Sequence, residues 1–178
     1  GKVKIYEYNK STTSWDTKGT LQGSSSNEKF GAAIDLNSDG STIVVGAPHF
    51  RENNTRSYLG KVKVFKWDGS AYSLLGQELV GSDKYDYFGA QLSIDSQGST
   101  IAVMGPGHDA NPGTTSGSYL KKGRVRVYNY DETSTSWIQT PTSYDFDGEA
   151  DGDQSTGVNK ESRGQATVLS ADGSVLAY

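Results

Sequence analysis

The sequence predicts an all-β fold made from a repeated four-stranded unit, and three observations carry that expectation. One phrase, FGAAIDLNSDGSTIVVGAP at 30–48, returns as FGAQLSIDSQGSTIAVMGP at 88–106 and, in a worn copy, as RGQATVLSADGSVLAY at 163–178. A second phrase, GKVKIYEY from Gly1, returns as GKVKVFKW from Gly60 and GRVRVYNY from Gly123. The composition agrees: 33% of the 178 residues are hydrophobic and 22 are glycine, which suits short strands joined by turns better than helices.

Each element follows in order. In the second phrase Val3 and Ile5, Val62 and Val64, and Val125 and Val127 fall on one side, with Lys2, Lys4, Tyr6, Lys61, Lys63, Phe65, Arg124, Arg126 and Tyr128 on the other. A period of two specifies a strand. The aromatic segments TTSWDT, SAYSLL and STSWIQ supply the next strand of each unit. In the first phrase AIDL and TIVVGA flank NSDG, QLSI and TIAVMG flank DSQG, and ATVL and SVLAY flank SADG. Gly40, Gly98 and Gly173 stand where a tight hairpin needs positive φ. The chain therefore reads as one domain, 1–178, with repeats at about 1–59, 60–122 and 123–178, a period of about 60 residues. Four-stranded units too small to bury both faces pack radially as a propeller or stack as a solenoid, and strand-only units of this length favour the propeller.

The first phrase resembles the FG-GAP repeat, which builds the seven-bladed propeller of integrin α-subunits and occurs in many bacterial and algal surface proteins. The likeness rests on Phe30-Gly31 with Gly46-Ala47-Pro48 and on Phe88-Gly89 with Gly105-Pro106; the third copy has Arg163 in place of the Phe and reaches Tyr178 where Gly-Ala-Pro would begin. The resemblance implies blades with the Phe-Gly strand innermost, its Gly-Ala-Pro partner second, the Gly-Lys-Val strand third and the Trp strand outermost. In that phase residues 1 to about 22 are an outer half, about 28–80 and 86–140 are whole blades, and 163–178 is an inner half. The expectation is about three blade-equivalents of a six- or seven-bladed ring, completed by the remaining blades of a parent chain or by a second copy.

Composition narrows the function. Seventeen basic against 21 acidic residues, net −4, create no field that would recruit nucleic acid or an anionic membrane. No apolar run approaches the roughly 18 residues that insertion as a spanning helix requires. With 11% aromatics and modest charge the chain does not read as disordered. The absence of cysteine removes disulfides, thiolate nucleophiles and thiolate zinc sites. His49 and His108 occupy matching repeat positions, and no nucleophile elbow, HExxH or phosphate-cradling loop occurs, so no catalytic residue is assigned and the expectation is not an enzyme.

Ca²⁺ is the one candidate cofactor. The resemblance implies a D-x-D-x-D-G loop, and Asp35, Asn37 and Asp39 match its opening, although its later Asp is missing and Asx side chains also stabilise a hairpin turn without metal. The denser run Asp145, Asp147, Glu149, Asp151 and Asp153 is the stronger candidate, because a divalent cation would relieve the repulsion among these carboxylates. The plainer alternative is a solvated acidic loop.

Binding is expected from loop placement. The connections after Pro48 and Gly107 and the segment 141–162 emerge on one face of a propeller, and Phe50, Arg51, Arg56, His108, Tyr144 and Phe146 would serve there as anchors for a protein or glycan. Tyr58 and Tyr119, at matching positions, are expected to pack between blades. The repeated Lys and Arg ladder is expected to lay its stems over neighbouring aromatic faces and send its charges to acids between blades. Asn9 and Asn53 fit the N-glycosylation pattern. Together these give a non-enzymatic recognition or adhesion module at an extracellular or cell-surface location. The alternative is a structural subunit of an extracellular filament or sheath assembled through open blade edges.

Overall fold

The computed structural model describes residues 1–52, 57–107, 123–140, 145–147 and 167–178. Among these, every regular element is a strand: β1 (Lys2–Asn9), β2 (Ser14–Gln22), β3 (Ala33–Leu36), β4 (Thr42–Ala47), β5 (Lys61–Trp67), β6 (Tyr72–Leu74), β7 (Leu79–Val80), β8 (Gln91–Ile94), β9 (Thr100–Gly105), β10 (Arg124–Asp131), β11 (Ser136–Gln139), β12 (Phe146–Asp147), β13 (Val168–Leu169) and β14 (Leu176–Ala177). The fold is all-β, with several small antiparallel sheets. The first is the hairpin β1–β2, the second runs β3-β4-β5-β6, the third β8-β9-β10-β11, and the fourth is the hairpin β13–β14. Among the described residues no helix is long and apolar enough to cross a membrane.

The glycine turns form as their sequence requires. Gly40, Gly98 and Gly173 take φ of 67°, 77° and 71°, the left-handed region that side chains with a Cβ avoid. In β4, TIVVGA is buried throughout, because it is a central strand with packing on both faces. Val44, Val62, Val64, Ile101 and Val103 form the core between the second and third sheets, each such side chain contributing about 1.5–3 kcal/mol on burial. Val3, Ile5, Leu21 and Phe30 pack on Ile43 and Val45 between the first and second sheets. Leu169 packs with Ala102, Met104 and Val125 between the third and fourth.

One set of hydrogen bonds recurs from sheet to sheet. Ser38 N–H donates to the Ser96 carbonyl (3.2 Å), and Ser96 N–H to the Ala171 carbonyl (2.8 Å). Ile94 N–H donates to Asp35 Oδ2 (2.9 Å), and Leu169 N–H to Ser93 Oγ (3.1 Å). The donors and acceptors occupy the same repeat positions, so β3, β8 and β13 lie side by side in one geometry. That approach is close: a Cβ on Gly46 would sit 2.0 Å from the Gly89 carbonyl oxygen.

The structure departs from the expected fourth strand. β2 pairs with β1 along its whole length, with one register shift where Ile5 faces Gly19 and Tyr6 faces Thr17. In the next unit the same strand is broken into β6 and β7, both paired with β5, and in the third into β11 and β12, both paired with β10. The break in the second unit follows from Gly76, whose φ of 73° turns the chain out of the strand just after Leu75 N–H bonds the Val64 carbonyl (2.8 Å).

Candidate functional site

The connection leaving β4 turns at once, Phe50 N–H donating to the Ala47 carbonyl (3.0 Å). Residues 57–60 then return to lie parallel to the approach to β8, held by Tyr87 N–H to the Tyr58 carbonyl (3.2 Å), Phe88 N–H to the Leu59 carbonyl (3.1 Å) and the parallel bridge Gly60 to Phe88. This strap brings four rings together. Tyr58 and Tyr87 stack with centroids 5.4 Å apart and planes at 21°, His49 lies 4.7 Å from Tyr58 and 5.6 Å from Tyr87, and Tyr85 meets Tyr58 edge-on at 6.1 Å. Arg51 places its guanidinium carbon 4.1 Å from the Tyr58 centroid and donates to the Tyr58 hydroxyl. The result is a half-buried aromatic ledge with an exposed rim at Tyr85.

Two of these tyrosines sit in strained backbone. Tyr85 and Tyr87 have φ of 66° and 53°, a conformation that costs an ordinary side chain about 1–3 kcal/mol and is held only where surrounding structure dictates it. Here the strap hydrogen bonds and Asp86 N–H to the Asp83 carbonyl (3.2 Å) dictate it.

The basic residues of β5 and β10 are paired with carboxylates within the protein. Lys61 is buried, its Nζ 4.0 Å from the Phe50 centroid, 3.2 Å from Glu78, 3.8 Å from buried Glu28 and donating to Ser24 Oγ at 3.1 Å. Lys63 reaches the same Glu78 at 2.5 Å. Burial pushes the Glu78 carboxyl up, but hydrogen bonds from Lys63 and Lys61 outweigh it and hold the group below its ordinary 4.5. In the third sheet Arg124 (2.7 Å) and Arg126 (3.4 Å) converge on Asp145, which also accepts from Gln139 (2.6 Å), while Arg126 donates to Ser82 Oγ (2.9 Å).

Of the sequence-derived binding residues, Phe50 and Arg51 belong to this site. Phe146 does not: it lies on β12, with its ring 6.0 Å from Tyr178. Arg56, His108 and Tyr144 lie outside the described residues, as do the metal candidates Glu149, Asp151 and Asp153 and the glycosylation candidate Asn53. Asp147 falls in β12, opposite Arg124. Asp145 is occupied by two guanidiniums, an unfavourable setting for a cation. Asp35, Asn37 and Asp39 do not converge. Asp35 accepts from Leu36 N–H (2.9 Å) and from Ile94 N–H, Asn37 Oδ1 from Thr42 N–H (2.8 Å), and Asp39 from Ser41 N–H (2.8 Å). The Ser41 hydroxyl and N–H hold Asp39 below the usual carboxylate range. Among the described residues no three His, Cys, Asp or Glu side chains cluster so as to hold a metal ion. Asn9 caps the β1–β2 turn, accepting from Ser11 N–H (3.0 Å) and donating to Asp16 (2.9 Å).

At the opposite end of β4 the hairpin turns border a polar cleft of about 200 Å³ lined by Asn37, Asp39, Lys66, Ser96, Tyr130 and Glu132, among others. Sequence reasoning assigned Tyr58 to packing and passed over Tyr85 and Tyr87. The motif YDY ahead of FG was the available signal, but the left-handed φ values that aim its rings leave no mark in residue type. Comparison with protein-family models and with curated proteins finds no match to this chain.

Proposed function

We propose that this chain is a non-enzymatic recognition or adhesion module acting outside the cell or at its surface, with its sheets arrayed as blades in the manner of FG-GAP repeats and its aromatic ledge binding a protein or glycan. One observation carries the reading: the stacked pair Tyr58 and Tyr87, edged by His49, Tyr85 and Arg51, at the end of the sheets where the long connections emerge. Rigid rings offer contact area with little rotamer entropy to lose, and Arg adds a planar, charged donor set. The strand order β3-β4-β5-β6 and the repeated bonds from β3 to β8 to β13 support the blade arrangement. The remaining blades belong to a parent chain or a second copy.

A glycan array and a panel of displayed extracellular proteins, probed with the wild-type chain and with Tyr85→Ala and Arg51→Ala, test the reading. Ligands of the wild type lose at least about tenfold in affinity for both variants while the melting transition stays cooperative. Ligands held equally by all three proteins would place recognition elsewhere.

A further inference from the structure

The polar cleft between the second and third sheets has fixed walls. One wall carries Asn37, Asp39, Lys66 and Leu75, the other Tyr130 and Glu132. The walls are joined at two places. The Ser38 N–H (3.2 Å) and hydroxyl (2.9 Å) both donate to the Ser96 carbonyl, and Trp137 Nε1–H donates to the Leu75 carbonyl (2.9 Å). A space of about 200 Å³ thus stays open between two packed sheets.

The corresponding place between the first and second sheets is occupied by the chain itself. Phe65 opposes Leu74 as Tyr6 opposes Thr17, so Leu75 corresponds to Lys18 and Gly76 to Gly19. The packing agrees, since a ring of the following sheet lies against each of these glycines, Trp137 against Gly76 and Tyr72 against Gly19. In the same alignment Tyr130 corresponds to Trp67 and Lys66 to Glu7. The Lys18 side chain, only 17% exposed, places Nζ 5.2 Å from the Trp67 centroid and 3.0 Å from Glu7. Leucine at position 75 removes that occupant, and neither Lys66 nor Glu132 forms an ion pair among the described residues.

We propose that this cleft binds a single neutral sugar ring. Charge decides the class of ligand. Asp39 and Glu132 oppose a phosphate or carboxylate, Lys66 opposes a bare cation, and among the described residues no three metal-ligating side chains cluster. Sugar hydroxyls donate and accept at once, which suits walls bearing an ammonium, two carboxylates and an amide. Asn37 keeps an amide hydrogen to offer after its Nδ2 donates to Ser41 Oγ (3.2 Å). The C–H face of the sugar covers Tyr130 and Leu75, the apolar part of the lining. The volume lies below the roughly 300–1,000 Å³ of pockets for drug-sized ligands, so the cleft holds one ring and not a peptide segment. It stands at the other end of β4 from the aromatic ledge and is independent of what the ledge binds.

Titration of the isotope-labelled chain with glucose, galactose, mannose, fucose and N-acetylglucosamine, followed through its amide NMR signals, tests the proposal. At least one sugar gives saturable shifts at Ser38, Ser99 and Glu132, with a dissociation constant on the order of 1 mM, whereas sodium sulfate and free glycine give none. Lys66→Ala and Glu132→Ala, both at exposed positions, each weaken that binding about fivefold or more. Leu75→Lys combined with Lys66→Glu rebuilds the Lys18–Glu7 pair inside the cleft and abolishes binding, while Tyr85→Ala on the ledge leaves it unchanged. No saturable shift with any of these sugars, or a response to sulfate or glycine in their place, would overturn the proposal. Binding that survives every cleft variant, or that is lost in Tyr85→Ala, would overturn it equally.

Discussion

The Tyr87 ring stacks on Tyr58 at 5.4 Å while its own N–H donates to the Tyr58 carbonyl at 3.2 Å. Backbone and side chain thus fix the same pair, although each belongs to a connection and not to a strand. The ledge is accordingly a rigid surface, and its strain is open to measurement.

At Tyr85 the usual ranking of glycine and alanine reverses. Glycine in place of alanine ordinarily destabilises by about 0.5–1 kcal/mol, but at a φ of 66° it avoids a left-handed penalty of about 1–2 kcal/mol. Urea denaturation therefore finds Tyr85→Gly more stable than Tyr85→Ala, by about 1 kcal/mol. The opposite order would mean that the position relaxes to negative φ in solution.

Lys61 balances two carboxylates, one of them the buried Glu28. Lys61→Met removes the cation beside buried Glu28 and destabilises the fold by about 3–5 kcal/mol. Adding Glu28→Gln recovers a large part of that loss, so a double-mutant cycle reads strong coupling between the two positions. Additive effects would show that Glu28 is served by Ser24 alone.

Acid should erode stability in a defined window. The Glu78 carboxyl lies below its ordinary 4.5 in the folded chain, and Asp172 is lowered to about 2 by hydrogen bonds from the Ser170 and Ser174 hydroxyls and the Ser174 N–H. A depressed folded-state value stabilises fully above the unfolded value and loses that contribution as pH falls towards the folded one. Stability from these groups is flat above pH 4.5 and declines from there down to about 2. Replacing Glu78 by Gln flattens the upper part of that decline, as chemical denaturation at stepped pH would record.

Gly46→Ala tests how closely the second and third sheets approach. With its Cβ 2.0 Å from the Gly89 carbonyl the sheets must part, at about 1–3 kcal/mol or more. A drop in melting temperature is expected, together with faster amide exchange at Ser38 and Ile94, whose N–H groups bridge these two sheets.

Much of the architecture was legible because it depends on periodicities internal to one unit. Gly40, Gly98 and Gly173 marked three hairpins, and the alternation around Val62 and Val125 marked the strands between them. What could not be read depends on contacts between units. Asp35 looked like a cation ligand, yet its second oxygen reaches Ile94 on the neighbouring strand, a partner 59 residues away. Asp145 looked like part of an acidic metal loop, but two arginines of β10 claim it. The break after Leu75 turns on the φ of Gly76, and nothing in its local sequence distinguishes it from a tolerated glycine within a strand. At the ledge the residue types Phe50 and Arg51 were visible, whereas the tyrosines required knowledge of a strap that runs parallel to β8.

The junction between the hairpins of β3, β8 and β13 is closed by main-chain bonds from Ser38 to Ser96 and from Ser96 to Ala171, and the second of these forms just as well onto an alanine. Such a seam asks almost nothing of side-chain identity. Gene duplication can thus append or delete a unit, and copies can drift far apart in residue content, without a new joint having to evolve each time.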